Sequence, residues 1–180
     1  MNIFVSGGNK NGKSGYAQDI AVKLAGGGKL YYIATMIPYD DEDRARVARH
    51  IENRAGMGFE TIEAGRNIES VFETADEKGT FLVDSTTALL LNEMYPGSYE
   101  EEADRNAASR CISGLLEIAG RAGNAIFVSD YIYSDAARYD DFTEMYRSSL
   151  ASIDRAMAEA CDTVIEVCAG NLIVHKGELP

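Results

Sequence analysis

The strongest constraint on the fold is a glycine-rich segment near the start of the chain, SGGNKNGKS at residues 6–14. It fits the pattern G-x-x-x-x-G-K-[ST] in full, with an apolar run before it and apolar residues at helical spacing after it. Glycines let backbone N–H groups turn toward an anion, and a helix N-terminus adds partial positive charge. The segment therefore predicts a strand, a phosphate-binding loop and a helix. The predicted nucleotide-binding residues of the loop are Gly7, Gly8, Asn9, Lys10, Asn11, Gly12, Lys13 and Ser14.

Two side chains of this loop have specific roles toward a bound triphosphate. Lys13 reaches the β- and γ-phosphates, and the Ser14 hydroxyl is a ligand for Mg²⁺. A second oxygen ligand is expected at the end of a neighbouring buried strand, where Asp84 closes TFLVD. Asp84 also has the position of a helix cap, so two interpretations of that residue stay open. For the loop, the alternative is a glycine-rich turn that contains Lys-Ser by chance.

Short apolar runs alternate with helical segments along the chain. The sequence predicts strands at 3–7, 30–35, 60–64, 80–85, 125–130, 163–168 and 172–176, and helices from Lys13 to the glycines at 26–28 and at 41–55, 67–77, 102–121 and 141–160. This order predicts an α/β fold of the P-loop, RecA-like type, with a mostly parallel sheet flanked by helices. Gly170-Asn171 predicts a closing hairpin with an antiparallel edge strand. No linker divides residues 1–180, so we expect one nucleotide-binding domain.

Composition argues against several classes of function. The formal net charge of −12 repels a nucleic acid on average. Three cysteines without a CxxC pair and two distant histidines argue against a disulfide framework and a zinc site. No apolar run approaches the roughly 20 residues of a membrane span, and the N-terminus has no secretory pattern. We therefore expect a cytoplasmic protein with no nucleic-acid partner and no membrane span.

The segment DDEDRARVARHIENR, residues 40–54, holds a histidine between arginines. On a helix, Arg46, His50 and Arg54 form a stripe apart from the apolar side. One interpretation is a solvated face with Asp/Glu–Arg pairs. The other is a phosphate-facing surface, in which guanidiniums hold anionic oxygens and a neutral imidazole attacks phosphorus to form a covalent intermediate. The residues alone leave both open.

Together these motifs resemble the adenosylcobinamide kinase/adenosylcobinamide-phosphate guanylyltransferase family, which acts on the nucleotide loop of cobalamin. SGGNKNGKS resembles the family's phosphate loop, and the helix around His50 resembles its E-x-x-R-[IV]-x-x-H-x-x-x-R segment. FETIEA (59–64) resembles W-x-T-x-E-x, and LVDSTTALLLN (82–92) resembles D-C-x-T-x-W-x-x-N. The histidine helix is the specific part, because generic phosphate-loop ATPases lack it.

The resemblance implies two reactions with ATP or GTP and Mg²⁺, in a homo-oligomer (a trimer). The first phosphorylates the aminopropanol hydroxyl of adenosylcobinamide. In the second, His50 attacks the α-phosphorus of GTP, holds GMP covalently and passes it to adenosylcobinamide phosphate, which gives adenosylcobinamide-GDP. The catalytic residues are then His50 and Lys13, and the metal ligands are Ser14 and Asp84. Outside the phosphate loop, the resemblance implies Ala34, Thr35, Arg54 and Glu63 as nucleotide-binding residues, and the stripe on the histidine helix adds Arg46.

The later part of the chain departs from the family pattern. Asp130-Tyr131-Ile132-Tyr133 stands where the family has N-E-V-G, and Ile153-Asp154 stands where it has N-Q. Two alternatives therefore stay open. One is a related P-loop kinase that acts on another alcohol or performs only the kinase step, and the other is a non-catalytic nucleotide-binding regulatory protein.

Overall fold

One sheet with helices on both faces organises the chain in the computed structural model, which describes residues 1–97, 102–133 and 136–180. The strands are β1 (Asn2–Gly7), β2 (Leu30–Ala34), β3 (Glu60–Glu63), β4 (Thr80–Asp84), β5 (Asn124–Asp130), β6 (Thr163–Cys168) and β7 (Asn171–Lys176). The helices are α1 (Lys13–Ala25), α2 (Asp41–Asn53), α3 (Thr86–Met94), α4 (Ala107–Arg121) and α5 (Asp141–Ala160), with a 3₁₀ helix at Ile68–Glu73.

The strand order is β3-β2-β4-β5-β1-β6-β7. All neighbouring pairs are parallel except β6 and β7, which form the antiparallel closing hairpin that Gly170-Asn171 predicts. The predicted α/β fold is therefore confirmed. Because the strands from β3 to β6 run in the same direction, their carboxyl ends lie at one edge, where open parallel sheets bind ligands.

The core has two layers, one on each face of the sheet. On one face α1 packs against Ile3 and Val5 of β1, and on the other α4 and α5 cover Phe81 and Phe127. Parallel strands buried on both faces require nearly continuous apolar sequence. This requirement explains why TFLVD and AIFVSD are so clearly recognisable as strands.

Several element boundaries differ from those that the sequence predicts. α4 begins at Ala107 instead of residue 102, and the segment predicted as a helix at 67–77 holds only the 3₁₀ turn. The sequence does not predict α3, because the apolar run ALLL at 88–91 shows no clear helical period. The expected polar excursion at 96–105 falls partly on 98–101, which lie outside the described residues.

α2 is unlike the other helices, since none of its residues is buried. The Asp40 side chain caps it by accepting a hydrogen bond from the backbone N–H of Asp43 (2.8 Å). Ile51, on the apolar side of α2, is 53% exposed. The chain itself therefore leaves this side uncovered. Within the described ranges, no helix combines the length and apolarity that a membrane crossing requires.

A buried carboxylate joins α5 to β5. Asp154 is 4% exposed and accepts hydrogen bonds from the hydroxyls of Ser129 (2.7 Å) and Tyr133 (2.8 Å). Burial raises the pKa of the Asp154 carboxyl to about 6, although both hydrogen bonds act to lower it. The charged form of Asp154 therefore opposes folding at neutral pH.

We predict that this carboxylate makes the chain more stable in mild acid. The folded-state pKa of Asp154 lies above its unfolded value, so its contribution is present at low pH and is lost as the pH rises through about 6. Between pH 8 and pH 5 the wild type should gain about 1 kcal/mol of unfolding free energy relative to Asp154→Asn. Urea unfolding measures this, with exposed Asp19→Asn as the control. Equal pH dependence in wild type and Asp154→Asn would contradict the prediction.

Candidate functional site

The loop between β1 and α1 lies at the carboxyl edge of the sheet. Gly12, the N-cap of α1, has a φ of 92°, a left-handed conformation that favours glycine. The Asn11 side chain fixes the loop, because its amide donates to the carbonyl of Val167 in β6 and its oxygen accepts from the backbone N–H of Lys13 (3.3 Å). The sequence therefore folds locally into a strand, a tight loop and a helix N-terminus, which is an arrangement that binds anions.

The Lys13 side chain is buried at the centre of this loop. Its ammonium donates to the carbonyl of Gly8 (3.1 Å) and forms an ion pair with the Asp130 carboxylate. Sequence reasoning did not identify Asp130 as a site residue. Asp130 ends the buried run AIFVSD in the same way as Asp84 ends TFLVD, and this position could have marked it as a candidate. Only the sheet order, which brings β5 beside β1, shows that it lies next to the loop.

Asp84 lies half-buried at the end of β4. Its carboxylate accepts a hydrogen bond from the Tyr32 hydroxyl (3.0 Å), and the Ser14 side chain lies near it. Burial raises the pKa of Asp84, while the Tyr32 hydrogen bond, the charge of His50 and the nearby Ser14 hydroxyl lower it. The following residue, Ser85, caps α3 by accepting from the N–H of Ala88 (3.4 Å). The capping interpretation of Asp84 is therefore wrong.

The oxygen atoms of Ser14 and Asp84 have the hard-ligand chemistry that Mg²⁺ prefers. Within the described residues, no group of three or more His, Cys, Asp or Glu side chains could hold a metal ion. Mg²⁺ usually keeps several waters and takes one or two carboxylates together with substrate phosphates. The hydroxyl of Ser14 and the carboxylate of Asp84 are oxygen groups of the kind that such a cation takes.

Arg46, His50 and Arg54, which the sequence predicts to form one stripe, lie in different environments. His50 is half-buried, and it lies near enough for its charge to lower the pKa of Asp84. Arg46 is exposed. Arg54, just after the helix, is buried with its guanidinium 3.9 Å from the centroid of the Tyr32 ring. The structure thus gives Arg54 a packing contact in addition to any contact with an anion.

The remaining predicted nucleotide contacts lie at the ends of β2 and β3. Ala34 is opposite Glu63, which is exposed. Thr35 is fully buried, and its hydroxyl accepts from the N–H of Ser85 (2.7 Å) and donates to the carbonyl of Ser85 (2.8 Å). These bonds fasten the end of β2 to the end of β4, so Thr35 supports the edge on which Asp84 lies. Direct contact between Thr35 and a nucleotide stays a prediction.

Comparison with known proteins identifies the family. The model described as CobU, cobinamide kinase / cobinamide phosphate guanyltransferase, matches residues 3–174 of this chain. The chain belongs to this family. The CobU family is an enzyme family with kinase and guanylyltransferase activity in cobalamin biosynthesis, and its nucleotides are GTP and ATP. The resemblance seen in the motifs is confirmed, and no curated protein matches the chain significantly.

Solved structures share the fold of this CobU-family chain. The flagellar accessory protein FlaH from Methanocaldococcus jannaschii is 14% identical, with a TM-score of 0.51 over 98% of this chain and 78% of that chain. A KaiC-like protein from the hyperthermophilic archaeon Pyrococcus horikoshii OT3 is 11% identical, with a TM-score of 0.54 over 98% of this chain and 79% of that chain. At these identities the likeness concerns the fold alone, which is RecA-like.

We predict that two adjacent glycines of the loop differ in their tolerance of a side chain. A Cβ at Gly7 would lie 2.6 Å from the carbonyl oxygen of Val167, whereas a Cβ at Gly8 would meet nothing within 4 Å. Gly7→Ala should therefore lower the free energy of unfolding by about 1–3 kcal/mol, as overpacked sites do. Gly8→Ala, the matched control, should change it by less than about 1 kcal/mol. Thermal or urea unfolding measures both, and equal stabilities would contradict the assigned loop geometry.

Proposed function

We propose that this CobU-family chain phosphorylates adenosylcobinamide and then transfers GMP to the product through a guanylyl-His50 intermediate. The observation that carries the proposal is the proximity of three groups at one edge of the sheet. The phosphate loop with Lys13 follows β1, the Ser14 side chain lies near Asp84, and the charge of His50 acts on that same carboxylate. Phosphoryl transfer depends mainly on such positioning and on neutralising charge.

In the kinase step, the aminopropanol hydroxyl oxygen attacks the γ-phosphorus of the triphosphate. The bond between the γ-phosphorus and the bridging oxygen breaks, the nucleoside diphosphate leaves and the hydroxyl proton is released. Lys13 is the residue we assign to the β- and γ-phosphates, together with the N–H groups of the loop. The Lys13 ammonium is already held by Gly8 and Asp130. Its side chain therefore loses little conformational entropy when a nucleotide binds.

In the second step, a ring nitrogen of His50 attacks the α-phosphorus of GTP, and pyrophosphate leaves. A phosphate oxygen of adenosylcobinamide phosphate then attacks the guanylyl-histidine, so the phosphorus–nitrogen bond breaks and the imidazole is regenerated. The product is adenosylcobinamide-GDP. Within the described residues, His50 has no hydrogen-bond partner, which leaves its ring nitrogens available for this attack.

Mg²⁺ is the cofactor we propose, held by Ser14 and Asp84 together with the phosphates. When bound, the cation neutralises charge on the phosphate oxygens and holds them in a fixed orientation. We also propose that Arg46 and Arg54, on either side of His50 in the sequence, bind anionic oxygens of the nucleotide. Arg46 is exposed, so its guanidinium is accessible to an anion.

The mechanism predicts covalent labelling of the protein by GTP. Incubation with Mg²⁺ and α-labelled GTP should attach the label through an acid-labile, base-stable bond, as in phosphohistidine. His50→Ala should abolish the label without abolishing GTP binding, because the triphosphate is held by the loop. Glu52→Ala, exposed on the same helix, is the matched control and should keep the label.

Two results would contradict parts of this function. If GTP binds to the wild type but no label forms, the histidine mechanism is wrong and a kinase-only enzyme is favoured. Lys13→Ala tests the phosphate loop separately, since loss of a charge-assisted contact should weaken triphosphate binding by about 10- to 100-fold. Unchanged triphosphate affinity in Lys13→Ala would mean that the nucleotide binds elsewhere.

We further propose that the chain forms a homo-oligomer, a trimer by its resemblance to the family. Apolar side chains exposed in and before α2 support this, with Ile37 43% and Ile51 53% exposed. Light scattering should give a mass near three times 19.6 kDa. Ile51→Asp should shift the mass toward one chain, because it places a charge on that surface. A wild-type mass of one chain at micromolar concentration would contradict the proposal.

A further inference from the structure

The kinase step releases a proton for which the function proposed above names no acceptor. An alcohol is a weak acid, so the aminopropanol hydroxyl must lose its proton as its oxygen bonds to the γ-phosphorus. The guanylyl transfer differs in this respect. A neutral imidazole attacks through a lone pair, and a phosphate monoester, with a second pKa of about 6, is already ionised at neutral pH. A general base can therefore assist only the kinase step.

Asp130 lies between the groups that the proposed function assigns to the triphosphate. It ends β5, and β5 lies between β4, which ends at Asp84, and β1, which leads into the phosphate loop. The Asp130 carboxylate forms an ion pair with the Lys13 ammonium, and its charge acts on Asp84. Because Lys13 is the group for the β- and γ-phosphates, a carboxylate in contact with it lies beside the γ-phosphate of a bound triphosphate.

The backbone of Asp130 is fixed, while its side chain is open to solvent. Its N–H donates to the Thr87 hydroxyl at the start of α3 (3.1 Å), and the residue pairs with Gly7 in the parallel register of β5 and β1. The side chain is 28% exposed, against 6% for that of Lys13. An acceptor hydroxyl can therefore reach this carboxylate from solvent, and a proton that the carboxylate takes up can return there.

The neighbouring carboxylates have other contacts. Asp84 is the proposed ligand of Mg²⁺. Glu166, on β6 at the other side of β1, accepts a hydrogen bond from the Tyr131 hydroxyl (3.1 Å). Asp154 is only 4% exposed. Among the residues that the structure describes, Asp130 is the carboxylate that both contacts the lysine of the phosphate loop and is open to solvent.

The contact with Lys13 leaves room for a second donor. An ionised carboxylate has two oxygens with about four lone-pair sites, and one ammonium occupies only part of them. When a triphosphate binds, the Lys13 ammonium also faces the phosphate oxygens. The Asp130 carboxylate then has oxygen sites with which it can accept a hydrogen bond from the acceptor hydroxyl.

The carboxylate at this strand end is a property of this chain. The family pattern N-E-V-G has an asparagine at the position of Asp130 and a glutamate at the next position, where this chain has Tyr131. The hydroxyl of Tyr131 donates to Glu166 and carries no negative charge to the loop. In this chain, the carboxylate of the segment therefore lies at the first position and not at the second.

We propose that Asp130 is the general base of the kinase step. The inference rests on the proposed function, to which it adds a catalytic residue. The Asp130 carboxylate takes the hydroxyl proton while the hydroxyl oxygen bonds to the γ-phosphorus. The bond between the γ-phosphorus and the bridging oxygen breaks, and its electron pair leaves with the nucleoside diphosphate. The protonated carboxyl then releases its proton to solvent, which restores the base.

Asp130→Asn tests the proposal, because the amide keeps the shape of the side chain but cannot take the proton. The kcat for phosphorylation of adenosylcobinamide by ATP should fall about 100-fold or more, as on loss of a general base. The affinity for ATP and the rate of covalent labelling by α-labelled GTP should stay within about threefold of the wild type, since neither involves the hydroxyl. Asp19→Asn, exposed on α1, is the control and should leave all of these quantities unchanged.

Other roles of Asp130 would give different results. If Asp130 only holds Lys13 in place, Asp130→Asn should weaken ATP binding and slow labelling and phosphorylation by similar factors. If it only binds the acceptor, the change should be confined to the KM for adenosylcobinamide. Either result, or a kcat of phosphorylation equal to that of the wild type, would overturn the assignment.

Failure of this assignment is distinct from failure of the proposed function. If the wild type phosphorylates adenosylcobinamide and Asp130→Asn does so with the same kcat, the function stands and only the base is misassigned. If GTP labels the wild type but the wild type does not phosphorylate adenosylcobinamide, the kinase step of the proposed function is wrong, and the base assignment is wrong with it.

Discussion

The site depends on one constraint, the parallel alignment of β4, β5, β1 and β6. Parallel pairing brings their carboxyl ends to one edge, and the residues at which β4, β5 and β1 end then lie at the site. Asp84 ends β4, Asp130 ends β5, and Gly7 ends β1 at the start of the phosphate loop. A change of pairing would separate Lys13 from Asp130 and Ser14 from Asp84. The packed core therefore positions the site residues, because it holds the ends of these strands in register.

The charge of the chain requires that anion binding be local. With a net charge of −12, the molecule as a whole repels a nucleotide. The loop overcomes this repulsion with short-range groups, namely the Lys13 ammonium, the backbone N–H groups and the N-terminus of α1. The carboxylates near the loop are held by other groups, Asp130 by Lys13 and Asp84 by the hydroxyl of Tyr32. Their oxygen atoms then suit a cation that accompanies the phosphates.

Much of the fold was predictable because its signals are local. Apolar runs indicate the strands, Gly26 marks the end of α1 and Gly170-Asn171 marks the hairpin. α3 and the 3₁₀ helix were not predictable in this way, since their form depends on packing against the rest of the core. The sequence alone also did not show which structural role the residues that depart from the family pattern after residue 129 have. The structure shows that Tyr133 donates to Asp154, so two of these departures form one buried contact.

The sequence by itself determined the phosphate loop, the α/β class and the family, because each of these follows from residues that are close together in the chain or from a motif with fixed spacing. The tertiary structure decided which distant side chains share a site. Asp130 pairs with a lysine 117 positions away, and Glu166 meets Tyr131 across a cleft that no linear pattern marks. Such contacts depend on strand order and register, which arise only when the whole sheet forms.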